Sequence, residues 1–434
     1  MAKHNIKNLH ARRVWDSRGR PTVEVEVELE SGTKGIAIAP AGASRGRFEA
    51  VDLRDGGKSF GGWDVTNAVK AVDVEIAEVL KGQDVREQAR LDKFMIELDG
   101  TPNKKRLGGN ATVAASMAIA HAAAAHEGVP LWQYLRGDAG DDKGGDVVLP
   151  LPEIQIFGGG AHASRRVDVQ DFMVIATGAA SFREALDWTA EVYLSAGKIM
   201  ADAGKLSGVA DEGGFWPDFD TNEEALETLV RAIEGAGFTP GNEVSISLDI
   251  AASEFGENGK YTLAKDDRTL SSEELCAMLV DWMERYPIVS IEDPLGEDDP
   301  DGLMKFTWAV GDNAQVVGDD VFVTNAARVK AAAKDRLCNS LLCKPNQAGT
   351  LSEAKAAFDA AAKAGMGRIV SARSGETEDS TIVHMAVGWG APQLKVGSFA
   401  RSERMVKWNE GIRIADTLAD RDGPLPPKSA FHWR

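Results

Sequence analysis

Three acids close three successive apolar runs of this chain: Asp249 in SISLDIAASEF, Glu292 in VSIEDP and Asp319 in VVGDD. Lys344 closes the next run, in LLCKPNQ, and Lys395 a later one, in QLKVGS. Carboxylates are hard oxygen ligands of the kind Mg²⁺ takes together with water and substrate oxygens. One such acid could equally cap a helix or pair with a base, but three at consecutive strand ends read as ligands of one ion. A lysine beside a cation can act as a general base. The cation could also hold a substrate carboxylate and stabilise the enediolate left when its α-proton is removed. The chemistry implied is abstraction of a very weakly acidic proton.

Other segments could complete such a site. VADEGGFWPDFD sets Glu212 beside two glycines that permit close backbone approach, so Glu212 could protonate a leaving hydroxide. SARSGETED offers Arg373 and Ser374 as an anion clamp for a phosphoryl group. The Gly-rich loops PAGASRGRFEA and FGGGAHASRRVD could close over a substrate and bring Ser44 and His162 with them.

These residues need a scaffold that brings distant strand ends together. From Asp249 the runs end at Glu292, Asp319, Lys344, Arg373 and Lys395, and about 20 to 30 residues per step suits one βα unit. The first step is longer and carries extra structure. The repetition predicts a parallel α/β barrel with its chemistry at the C-terminal strand ends. A doubly wound open sheet is the alternative, but no Gly-rich phosphate turn follows a first strand. The first third reads as a separate unit. PTVEVEVELE alternates as a half-buried strand and GIAIAP can pair with it. NATVAASMAIAHAAAAHEG predicts a helix capped by Asn110 and ended by Gly128, with His121 and His126 packed or exposed rather than ligating. RGDAGDDKGGD reads as a loop, which places an N-terminal α+β unit at 1–136, a linker at 137–146 and the site-bearing barrel at 147–434.

The 434 residues carry a net charge of −18, which opposes non-specific binding to nucleic acid and anionic membranes but leaves room for a small anionic substrate at a locally positive site. The N-terminus is polar and basic, and no apolar run reaches the roughly 18 residues of a membrane span, so a cytoplasmic location is expected. Three cysteines, Cys276, Cys338 and Cys343, form no CxxC pair and are expected as buried, reduced thiols.

Taken together the segments resemble enolase over nearly the whole chain. WDSRGRPTVEVEV, GASRGRFEAVDLRDG, GGAHASRRVDVQDFM, DEGGF, LDIAASEF, SIEDP, VGDDVFVTN, KPNQAGTLSEA, RSGETED and KVGSFARSER follow one another in the family's order. The resemblance implies an N-terminal α+β capping domain, an eight-stranded mixed α/β barrel whose opening strands depart from simple alternation, two Mg²⁺ ions per site, and a homodimer or homo-octamer. It matches Asp249, Glu292 and Asp319 to the ligands of the tighter Mg²⁺ and Ser44 to a contact of the second. It matches Lys344 to the base, Lys395 to the lysine on the substrate carboxylate side, and Glu212 to the acid that expels the hydroxyl. Arg373, Ser374 and His162 match substrate contacts. The implied reaction is reversible dehydration of 2-phosphoglycerate to phosphoenolpyruvate.

The chain departs from the family pattern at several points. Asp171 stands where the acid partner of Glu212 is normally glutamate, and Ala372 where HRSGE has histidine. Arg45 replaces the threonine of GAST, Arg165 and Arg166 add charge to the second loop, and Pro345 follows the catalytic lysine. Lost histidine bulk and added arginines point to a larger anionic substrate. The alternative is therefore a paralogue resembling carboxyphosphonoenolpyruvate synthase, acting on a phosphonate carboxylic acid. A non-catalytic enolase-fold scaffold and an acid-sugar dehydratase fit less well, because the lysines, the acids and the RSGETED and GGAHA segments are all retained.

Overall fold

A computed structural model of the chain describes residues 2–137 and 147–433. Apart from Gly137, the expected linker lies outside the described residues. The N-terminal unit is an antiparallel meander of β1 (Ile6–Trp15), β2 (Pro21–Leu29) and β3 (Lys34–Ile38). The alternation in β2 buries Val23, Val25, Val27 and Leu29 completely, while its glutamates face Arg12, Lys7 and Lys34 at the surface. The alanine-rich helix Gly109–Glu127 lies on this sheet and is buried nearly all round, as a helix without a polar face must be. Its approach is close: a Cβ on Gly35 would lie 2.1 Å from the backbone nitrogen of Ala122. Gly128, with φ 71°, ends the helix. Asn110 does not cap it. Asn110 is the second residue of the helix, and its side chain instead exchanges two hydrogen bonds with the backbone of Leu53, tying down the connection to the first loop.

The C-terminal unit is a closed barrel, which rules out the open doubly wound sheet. Its strands are β4 (Leu151–Gly158), β5 (Asp171–Ile175) and β6 (Ser245–Asp249), then β10 (Ile288–Glu292), β11 (Gln315–Gly318), β12 (Ser340–Cys343), β13 (Gly367–Ser371) and β14 (Gln393–Gly397). The long first step between Asp249 and Glu292 holds a small side sheet of β7 (Gly256–Glu257), β8 (Lys260–Leu263) and β9 (Arg268–Ser271). The barrel is mixed, because β5 runs antiparallel to both β4 and β6. Local signals start its outer helices: Ser181, Thr221 and Thr350 each accept the backbone N–H three residues on, and Ser271 with Glu274 forms a full capping box.

The two units are joined at the barrel rim. Asp92 accepts both the N–H and the hydroxyl of Ser352, and Ser116 accepts the N–H of Leu351. Cys338 and Cys343 are buried as expected, Cys276 is only half-buried, and all three are free. His121 packs against the hydroxyl of Thr381. Among the described residues, no helix is long and apolar enough to cross a membrane.

Gly35→Ala should force the helix off the sheet at a cost of ~1–3 kcal/mol, typical of overpacking. The measurement is the midpoint of urea unfolding; an unchanged midpoint would show that the helix can shift freely.

Candidate active site

The reversed strand explains how the site is gathered. Asp249 and Glu292 are the last residues of β6 and β10 and stand opposite each other in register. Asp319, Lys344 and Arg373 follow the ends of β11, β12 and β13. Asp171 is the first residue of β5, yet because β5 runs backwards it pairs with Asp249 and Gly158 at the same rim. Lys395 does not end its strand. It is the third residue of β14, level with Glu153, and reaches the rim from inside the barrel.

At the centre, Lys395 Nζ lies 2.9 Å from Asp249 Oδ2, 2.6 Å from Glu292 Oε2 and 3.7 Å from Asp171 Oδ2. Lys344 Nζ lies 2.5 Å from Asp319 Oδ2. All of these side chains are buried. Burial pushes Glu292 well above the usual carboxylate range and the neighbouring Asp249 adds to it. Burial also opposes the lysine charges, but the nearby carboxylates together outweigh it, Asp249 and Glu292 foremost for Lys395, and Asp319 with Glu292 for Lys344. Both ammonium groups are therefore held above their ordinary range. The carboxylate partners that gather here stabilise the charged form more than burial penalises it.

The three expected metal ligands are thus spread around the two lysines. The acidic trio with oxygens within 4.8 Å of one another is instead Asp293, Asp319 and Asp320. Asp293, at φ 42°, accepts the N–H groups of Asp319 and Asp320 and so orients the turn after β11. Even so, Asp249, Glu292 and Asp319 suit a hard divalent cation. They present only oxygens, and Glu292 Oε1 is buried without a hydrogen-bond partner.

On the opposite side, His162 sits in a short turn after β4. Its Nδ1 is 2.9 Å from Asp171 Oδ1 and its Nε2 is 3.7 Å from Glu212 Oε1. Gln155, inside the barrel, donates to Asp171 and accepts the N–H of Gly214, locking the Glu212 turn to the same cluster. Burial disfavours the imidazolium, but Asp171 and Glu212 outweigh it and raise His162 to about 9.

The Arg373 side of the rim joins both units. Arg373 is buried. It donates to Glu49, to Asn346 Oδ1 and to the carbonyl of Ser44. Ser374 Oγ accepts from Arg18 and from the N–H of Ala43. Arg404, fully buried, donates to the carbonyls of Arg373, Ser374 and Val396. Ala372 is buried in the apolar core, with its N–H on the carbonyl of Lys395. The loop arginines are not gathered with these groups. Arg45 is exposed and meets no hydrogen-bond or ion-pair partner among the described residues, and Arg165, 60% exposed, is bound to Glu254. Arg166 is bound to Asp218. Glu49, Gln347, Asp293, Gln155 and Arg404 escaped the sequence reading. They lie inside motifs that were quoted or beside them, but nothing in residue type alone shows where buried polar side chains point.

His162 makes a testable contribution. Its folded pKa is raised above the ordinary value of about 6.5, so its ion pairs stabilise fully below that pH and are lost as pH rises through about 9. Histidine-selective NMR of the folded chain should show one ring titrating near that value, and His162→Gln should remove the signal together with that part of the pH–stability profile. A ring titrating near its ordinary value would contradict the ion-pair assignment.

Residues 6–135 match the family model described as "Enolase, N-terminal domain", and residues 146–423 match "Enolase, C-terminal TIM barrel domain". A protein named Enolase 1 from Desulfitobacterium hafniense (strain Y51) is 47% identical over 434 residues, covering 99% of this chain and 98% of its relative. With two matched domains that span the chain and a rim that carries the acids and lysines in one cluster, the chain belongs to the enolase family of hydro-lyases.

Proposed function

We propose that the chain catalyses the Mg²⁺-dependent, reversible dehydration of 2-phosphoglycerate to phosphoenolpyruvate. The observation that carries this reading is the placement of Lys344 and Lys395 among the carboxylates on one side of the rim, with Glu212 and His162 on the other. In this reading Lys344 Nζ takes the α-proton as the neutral amine, a form it would reach once Asp319 is engaged by a cation instead of by the lysine; Lys395 holds the substrate carboxylate side, and Glu212 gives a proton to the departing hydroxide, which leaves as water. Asp171 orients His162 and, through Gln155, the Glu212 turn. Asp249, Glu292 and Asp319 would hold one Mg²⁺ and Ser44 would contact a second. The bound cations supply charge stabilisation for the enediolate. Arg373 and Ser374 would receive the phosphoryl group, with His162 at the loop side.

A second reading keeps the same proton chemistry on a larger anionic analogue, such as a phosphonate carboxylic acid. It is favoured by Arg45, an unpaired guanidinium on the loop that also bears Ser44, and by the small Ala372. The pairing of Arg165 with Glu254 weighs against it. Turnover of 2-phosphoglycerate with Mg²⁺ at ordinary enolase rates supports the first reading; turnover of a phosphonate analogue alone supports the second.

Lys344→Ala should lower kcat by about 10²–10⁴-fold, the usual loss of a general base, while circular dichroism shows the fold retained. It should also stop exchange of the substrate α-hydrogen with solvent deuterium. Persisting exchange would remove Lys344 as the base.

A cytoplasmic homodimer or homo-octamer goes with this reading. Trp15 and Phe60, stacked edge to face at 5.0 Å and 50% and 42% exposed, offer an apolar contact on the N-terminal unit. Trp15→Ser should lower the assembled fraction seen by light scattering, and an unaltered mass would place the interface elsewhere.

A further inference from the structure

We propose that Glu49 is a positioning residue of this site: one buried carboxylate from the N-terminal unit that sets the orientation of both Arg373 and, through Gln347, Asp319. The inference rests on the reading above, in which Arg373 receives an anion and Asp319 helps to hold a cation.

Glu49 is 5% exposed. Its Oε2 accepts Arg373 Nη1 at 3.0 Å, and its Oε1 accepts Arg373 Nη2 at 3.2 Å, Gln347 Nε2 at 3.2 Å and the N–H of Gly46 at 3.0 Å. Asn346 Oδ1 and the carbonyl of Ser44 take the other two terminal N–H groups of Arg373. The terminal edge of the guanidinium is therefore spent inside the protein, and its Nε–H edge is the one left to meet a ligand. The loop is pressed onto this arrangement, since a Cβ on Gly42 would fall 1.9 Å from Arg373 Nη2.

The second arm is fixed by the direction of its hydrogen bonds. The Thr324 hydroxyl accepts the N–H of Lys344 at 2.9 Å, so its own proton goes to Gln347 Oε1 at 2.7 Å. That fixes the orientation of the Gln347 amide. Its NH₂ must face outward, where it meets Asp319 Oδ1 at 2.7 Å and Glu49 Oε1. Two carboxylates that would repel each other are thus bridged by one amide, and the same carboxylate holds the arginine. Cation binding at Asp319 and anion binding at Arg373 become coupled through Glu49, and such coupling is reciprocal.

The test is calorimetric titration of the full-length chain, first with Mg²⁺ alone and then with inorganic phosphate at saturating Mg²⁺. In Glu49→Gln the Kd for phosphate should rise at least about tenfold and the Kd for Mg²⁺ several-fold, with Glu49→Asp restoring part of both. Gln347→Met cuts only the second arm, so it should weaken Mg²⁺ and lower phosphate affinity at saturating Mg²⁺ less than Glu49→Gln does. The double variant should be non-additive for Mg²⁺. Wild-type affinities in Glu49→Gln, no recovery in Glu49→Asp, or additive effects in the double variant would each overturn the proposal. Failure of the functional reading is separately visible: the wild-type chain would then not turn over 2-phosphoglycerate, whatever the titrations show.

Discussion

The site depends on like charges crowded into a buried rim. Glu153, Asp171, Asp249, Glu292 and Asp319 are all nearly inaccessible to solvent, against two equally buried ammonium groups, Lys344 and Lys395. Burying a carboxylate without compensation is costly, and the excess here shows as Glu153 and Glu292 being pushed up, by burial above all. The packed barrel forbids the acids from relaxing apart. A surplus of buried oxygen donors around two fixed lysines suits a hard cation.

The rest of the fold serves that crowding. Reversal of β5 brings Asp171 to a rim that it could not reach at the start of a parallel strand. The histidine side and the lysine side of the site then share one carboxylate, since Asp171 meets both His162 and Lys395. The N-terminal unit is more than a lid. Its Glu49 and Arg18 hold Arg373 and Ser374, so these barrel residues take their orientation from another domain.

Much of this was legible in the chain. The β2 alternation and the repeat of run ends both reflect local physics, and the structure follows them. Asn110 departs from the expected cap because an N-cap residue type within the first turn of a helix can bond a neighbouring loop instead. Lys395 was misplaced by two residues along its strand because an apolar run continues past it through Val396 and Gly397. The loop arginines looked like added charge for the site, but a long side chain at the surface pairs with whatever carboxylate is near, and for Arg165 that is Glu254.

By itself the sequence determined that Asp249, Glu292, Asp319 and Lys344 stand at strand ends, because periodicity and turn chemistry are local, and therefore that these four share a rim. Only the tertiary structure decided how they pair. Arg373 and Glu49 are 324 residues apart, and Lys395 and Asp249 are 146 apart. Contacts of that span depend on barrel closure, strand direction and domain docking, and none of these is encoded within reach of a local pattern. The reversed β5, the orientation of the Gln347 amide and the choice of Glu49 as partner for Arg373 all follow from packing around a closed sheet, where each buried polar group must find its partner in space rather than along the chain.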